Sequence, residues 1–135
     1  MSNYLDDIAW NSDGLAPVIT LESGSGELLM QAWVNREALQ TTIEEGRAVY
    51  WSRSRNQLWR KGEESGNTQK LVDVFLDCDD DSLCYVVEQI GGVACHTGRK
   101  SCFHKKLQSG QWIAEGEVLI APEQMYNRQA GGDSE

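Results

Sequence analysis

Three clusters of residues in this 135-residue sequence could do chemistry, and each calls for a different ligand. The first is Asp77-Cys78-Asp79-Asp80-Asp81. In an extended segment Asp77, Asp79 and Asp81 share one face while Cys78 points to the other. Three carboxylates on one side suit a hard, oxygen-seeking cation such as magnesium. A thiolate on the opposite side suits a softer metal. Acidic runs after strands are commonly solvated turns, but a free thiol in an exposed acidic turn has little structural purpose. That thiol favours metal binding.

The second cluster is Cys95-His96-Thr97-Gly98-Arg99-Lys100-Ser101-Cys102. Two cysteines with a histidine between them have the chemistry of a zinc loop, at a wider spacing than the short C-x-x-C of structural sites. With Cys78 they would make three protein ligands. Three ligands leave the fourth tetrahedral position for water, which is the catalytic arrangement. The competing reading of Cys95 and Cys102 is as small buried hydrophobes. For Cys84, set among Leu83 and Val86, that core reading is preferred. His96 is open to three roles: ligand, acid/base group or loop residue. Its place between two candidate ligands favours acid/base work. His104 has no such setting and is read as structural.

The third cluster joins Trp51-Ser52-Arg53-Ser54-Arg55 to Leu58-Trp59-Arg60-Lys61 and the polar run Gly62 to Asn67. Alternation along a strand would put Arg53 and Arg55 on one face, where two guanidiniums can clamp a phosphate. Ser65-Gly66-Asn67 offers backbone amides and small side chains to an anion. Basic strands are often solvated edges, and Trp51 and Trp59 are more often core than stacking platforms.

The elements that must position these groups read as follows. Pro17–Leu21 and Glu27–Trp33 form a hairpin across the Ser23–Gly26 turn. Asn35 caps a helix whose first turn holds Glu37, whose inner face is Leu39, Thr42 and Ile43, and which stops at Gly46. Ala48–Arg53 and Gln57–Arg60 are β-rich. Leu71–Asp77 is a strand expected at the centre of a sheet, and Ser82–Ile90 is another, ended by Gly91-Gly92. Cys95 to Cys102 reads as a loop that could open a short helix. The expected fold is a single small α+β domain over residues 1–126, mostly antiparallel strands with one main helix. The polar, Gly-rich run from Asn127 to Glu135 is expected to be disordered.

Composition narrows the function classes. Forty per cent hydrophobic and 24% charged residues are ordinary for a globular domain. No apolar run is long enough to span a bilayer, and the acidic start Asp6-Asp7 is unlike a secretory signal, so a cytoplasmic location without membrane partners is expected. The formal net charge of −9 opposes a nucleic-acid backbone, while local basic clusters suit a small phosphorylated ligand. In a reducing compartment the four cysteines are better read as metal ligands or free thiols than as disulfides.

Taken together, LMQAWVNREAL (29–39), residues 42–46, WSRSRNQLWRKGEESGNTQ (51–69), DCDDD (77–81) and ACHTGRKSCF (94–103) resemble the phosphoribosyl-AMP cyclohydrolase family, in the family's order. The resemblance implies a monofunctional enzyme of histidine biosynthesis. It would hydrolyse the N1–C6 bond of the adenine ring of phosphoribosyl-AMP, with a zinc-activated water, to give the formimino-aminoimidazole carboxamide ribotide. It also implies zinc on Cys78, Cys95 and Cys102, shared across an intertwined homodimer, and magnesium on Asp77, Asp79 and Asp81. His96 becomes the candidate for proton transfer. Arg53, Arg55, Lys61, Ser65, Asn67 and Arg99 become candidates for the pocket of a bisphosphorylated nucleotide. A zinc nucleobase deaminase would need H-x-E with P-C-x-x-C, and neither occurs. A closed zinc module would need four protein ligands, and a single-strand nucleic-acid binder sits poorly with the charge.

Overall fold

Ala16, Val18 and Thr20 alternate with Pro17, Ile19 and Leu21, and that period of two decides which side of the first strand is buried. In the computed structural model, which describes residues 3–63 and 65–121, this strand is β1 (Leu15–Glu22). β2 (Leu28–Asn35) returns antiparallel beside it, with Val18 opposite Ala32. Asn35 then caps α1 (Arg36–Glu45), its Oδ1 accepting from the Ala38 amide at 2.8 Å. Gly46 ends the helix in the left-handed region at φ 73° and donates to the Thr42 carbonyl at 2.9 Å.

The hairpin β3 (Val49–Ser52) and β4 (Gln57–Arg60) follows, then β5 (Gln69–Leu76) and β6 (Leu83–Gln89). The main sheet runs β2-β1-β6-β5; β6 is antiparallel to β5 and parallel to β1, with Val18 beside Leu83. A last ribbon pairs β7 (Lys105–Gln108) with β8 (Gln111–Ala114). Within the described residues this is an α+β domain with one main helix and mostly antiparallel pairing. The expected tail 127–135 and the domain's last residues 122–126 lie outside the described residues.

Three expectations change, and one element is new. Ile43 is 41% exposed, because Ala38, Leu39 and Thr42 form the inner stripe of α1 and Ile43 lies at its margin. β5 is an edge strand, with Val72, Phe75 and Leu76 open to solvent. Its apolar run had mimicked a central strand. Cys84 is half-buried on the outer sheet face, since Leu83, Tyr85 and Val87 point inward and the residues between them point away. The ribbon β7–β8 was not anticipated, although Ser109-Gly110 between two short polar-apolar runs is a hairpin signal.

The core holds polar groups as well as apolar ones. Thr42 is fully buried and receives the Val49 amide at 2.9 Å while its hydroxyl lies 2.8 Å from the Ala38 carbonyl, which ties α1 to β3. Tyr50 is fully buried, with its hydroxyl 2.8 Å from Thr20 Oγ1 and donating to Gln69 Oε1 at 2.5 Å. Gln69 Nε2 in turn donates to Gln89 Oε1 at 2.9 Å. Replacing Tyr50 with Phe strips a partner from both Thr20 and Gln69. Urea unfolding is expected to show a loss of about 1–3 kcal/mol with an unchanged slope.

Candidate active site

The acidic cluster sits where β5 turns into β6. Asp77 closes that turn: its amide donates to the Ser82 carbonyl at 3.0 Å, and its carbonyl accepts from the Asp80 amide at 3.1 Å. Asp80 takes φ 66° at the corner. The aspartates are therefore gathered by the curvature of a turn and not by strand alternation, a correction to the extended geometry expected for this run. One ligand oxygen from each of Asp77, Asp79 and Asp81 lies within 4.8 Å of the others, and all three residues are exposed. Desolvation raises Asp77, but the amides of Ser82 and Asp81, reaching its Oδ1 at 3.2 and 3.0 Å, hold it below the ordinary carboxylate value. Asp79 is pushed up by Asp81 and Asp77 beside it. This crowding is what a hard dication would relieve. Cys78, within the same turn, is an exposed free thiol.

The second half of the chemistry lies on the loop after β6. Ala94 donates to the Lys100 carbonyl at 3.0 Å and Cys95 to that of Arg99 at 3.1 Å, so the chain folds back on itself as a tight loop without the short helix considered for it. Gly98 is at φ 88°, and a Cβ there would stand 1.8 Å from the Ile120 carbonyl oxygen, so only glycine lets the segment around Ile120 pack on the loop. Cys102 is anchored by its amide to the Leu29 carbonyl at 2.7 Å, at the start of β2. The Cys95 and Cys102 thiols are close enough to act on each other electrostatically. Cys102 as a residue is exposed, yet its thiol is pushed up to about 12 by desolvation and then by Cys95. Lys61 acts on it in the opposite sense. His96, next to Cys95, is exposed, and Thr97 Oγ1 lies 3.0 Å from Cys95 Sγ. All four cysteines are free thiols.

These two halves are at opposite ends of the sheet. Cys78 lies beyond the Leu83 end of β6 and Cys95 beyond its Gln89 end. The seven residues of β6 span roughly 20 Å at about 3.3 Å per residue. Within one chain, Cys78 does not join Cys95 and Cys102 in a three-ligand group; among the described residues only the three aspartates form one.

The basic residues divide in the same way. β3 ends at Ser52, so Arg53 and Arg55 lie in the turn to β4 and not on a common strand face. Asn56, at φ 54°, completes that turn. Arg53 rests over the Trp33 ring, 4.5 Å from its centroid. It borders a polar groove of about 390 Å³ with Asp13, Asn35, Trp51 and Asn56. Since Trp33 pairs with Pro17, this groove is at the Cys78 end. Lys61, Ser65, Asn67 and Arg99 are at the Cys95 end. Ser65 and Asn67 are buried, and the Ser65 hydroxyl accepts from the Asn67 amide at 3.3 Å. Arg99 Nε donates to the Gly116 carbonyl at 3.3 Å.

Sequence reasoning missed two links. Lys61 reaches across 33 positions to donate to the Ala94 carbonyl at 2.5 Å. Near the N-terminus, the Ala9 amide donates to the Asp80 carbonyl at 2.7 Å and so braces the acidic turn. Neither is signalled by spacing, because both partners are set by tertiary packing.

Known proteins resemble this chain closely. A family model described as phosphoribosyl-AMP cyclohydrolase matches residues 30–104. A phosphoribosyl-AMP cyclohydrolase from Methylococcus capsulatus is 56% identical over 126 residues, covering 93% of this chain and 98% of the relative. One from Thioalkalivibrio sulfidiphilus is 58% identical over 124 residues, covering 92% and 95%. One from Nitrosomonas europaea is 54% identical over 125 residues, covering 93% and 97%.

Proposed function

The chain belongs to the phosphoribosyl-AMP cyclohydrolase family, and from that premise we propose how its own residues carry the reaction. The reaction is the histidine-biosynthetic hydrolysis of the N1–C6 bond in the adenine ring of phosphoribosyl-AMP. Our reading is that each active site is assembled from two copies of the chain. One contributes the Cys78 turn and the other the Cys95–Cys102 loop. The observation that carries this is the separation of the thiols: two are in reach of each other, and the third is a sheet's length away on an exposed turn. A two-fold pair of chains laid end against end brings the third thiol to the other two, twice per dimer.

The donor set fits the metals. Cys95 and Cys102 on one loop, joined by a partner's exposed turn thiol, are soft ligands that suit zinc and leave a fourth position open. Bound there, zinc supplies the Lewis acidity that makes a water nucleophilic near neutral pH. Asp77, Asp79 and Asp81 suit magnesium, which supplies positive charge to a turn that has an excess of the opposite sign.

The remaining roles belong to side chains. His96 is exposed next to Cys95 and can hand a proton to the departing ring nitrogen N1. Arg53 and Arg55 from one copy and Arg99 from the other bind the two phosphates. Arg53 lies at the Cys78 end and Arg99 on the thiol loop, and the guanidinium fork matches a phosphate. Ser65 and Asn67 shape the turn that borders the thiol loop. The cytoplasm suits an enzyme that works with free thiols.

The test follows substrate loss by absorbance. Removing metal with a chelator is expected to abolish turnover, and added zinc to restore it. Full turnover by protein shown to be metal-free would overturn the zinc assignment.

A further inference from the structure

Lys61 holds the thiol loop at the point where it leaves the core. Its Nζ donates to the carbonyl of Ala94, the residue before Cys95, at 2.5 Å. Ala94 is 1% exposed, and its amide closes the neck of the loop on the Lys100 carbonyl. The carbonyl that Lys61 grips is thus part of the buried neck and not of the loop tip.

The lysine itself has little freedom. Its amide donates to the Ala48 carbonyl at 3.3 Å, and its ammonium lies 5.4 Å from the Trp59 ring centroid, a cation–π distance. The next residue, Gly62, is at φ 79°, and a Cβ there would stand 2.2 Å from the Asn67 carbonyl carbon. The turn following Lys61 is therefore pressed against residues 67–68 and cannot shift without rebuilding that contact. One side chain is aimed by a strand end, an aromatic face and a tight turn.

Charge points the same way. A dication held by three thiolates carries a net negative charge, which in a partly desolvated place calls for a compensating cation nearby. The Lys61 ammonium, held on the Ala94 carbonyl one residue before Cys95, is a cation that the fold brings to the neck of this loop.

We propose that Lys61 is a positioning residue of the two-thiol half-site, fixing the neck of the Cys95–Cys102 loop and balancing the charge of its sulfur ligands so that the loop retains zinc. This rests on the zinc reading above. It gives Lys61 a task distinct from lining the substrate pocket, the role that the resemblance implied for it.

The test measures zinc affinity of the full-length protein by competition with a chromogenic chelator. K61M, which keeps length but loses charge and donor, is expected to bind zinc about 10–100-fold more weakly, the usual cost of losing an outer partner of a metal site. K61R, which keeps both, should recover most of that loss. Folded K61M with wild-type zinc affinity would overturn the proposal, and a raised KM in that variant would make Lys61 a substrate ligand instead. Should K61M fail to fold, K61Q retains a donor for Ala94 but no charge; weakened zinc binding supports the proposal, and wild-type affinity overturns it. Wild-type protein that binds no zinc would bring down the metal reading itself, a different result from wild-type binding preserved in the variants.

Discussion

Cys78→Ala and Cys95→Ala, each inactive by itself, are expected to regain about a quarter of wild-type activity when the two chains are co-expressed in equal amounts. The arithmetic follows from the split site. Half of the dimers are then mixed. In a mixed dimer one site contains both defects, while the other combines an intact Cys78 turn with an intact Cys95 loop. Co-expressing Cys95→Ala with Cys102→Ala should restore nothing, because both lesions fall in the same half and each site of a mixed dimer inherits one of them. Arg53 can be assigned by the same logic. Placed at the Cys78 end beside Trp33, an inactivating Arg53 variant should be rescued by Cys78-competent, Cys95-defective chains and not by Cys78→Ala. Activity is measured as substrate loss, with dimer composition checked by differently tagged chains. Recovery in the Cys95/Cys102 pair, or none in the Cys78/Cys95 pair, would refute the shared site.

His96→Asn is expected to lower kcat by about 10²–10⁴-fold while leaving zinc content unchanged. The imidazole lies on the exposed turn between the two sulfur residues, so its loss removes a proton carrier without disturbing a thiol, the Ala94 neck or the Cys102 anchor. A fall in zinc content equal to the fall in kcat would make His96 part of the metal site. An unchanged kcat would leave proton transfer to another group.

What could be read from the sequence was whatever is decided locally. Asn35 announces a helix start because its side chain needs only the amide three residues on, and Gly46 announces the end because αL conformation suits glycine. Ser23 to Gly26 marks a turn for a similar reason. The three clusters were visible as clusters because each lies within a short stretch. What escaped was their arrangement. Nothing in a run such as Leu71–Leu76 says that its edge is open, since apolar residues cover a central strand and an uncovered face alike. Arg53 and Arg55 alternate as a strand would, but Ser52 and Gln57 pair and throw them into a turn. The hydrogen bond from Lys61 to Ala94 depends on where two loops come to rest after the sheet has closed.

That closure has a consequence for synthesis. β1 is flanked by β2, its immediate successor, and by β6, whose Leu83 lies beside Val18 from 65 positions later (83 − 18). A nascent chain can form the first hairpin and α1 early, but one flank of β1 stays bare until residues 83–89 have left the ribosome tunnel. During that interval Ile19 and its neighbours present an apolar strand with unpaired amides, a surface on which chaperones act and other nascent chains stick. Stalls that hold the chain after β1 has emerged but before residues 83–89 have done so should therefore lower the yield of native protein more than stalls placed before β1 leaves the tunnel.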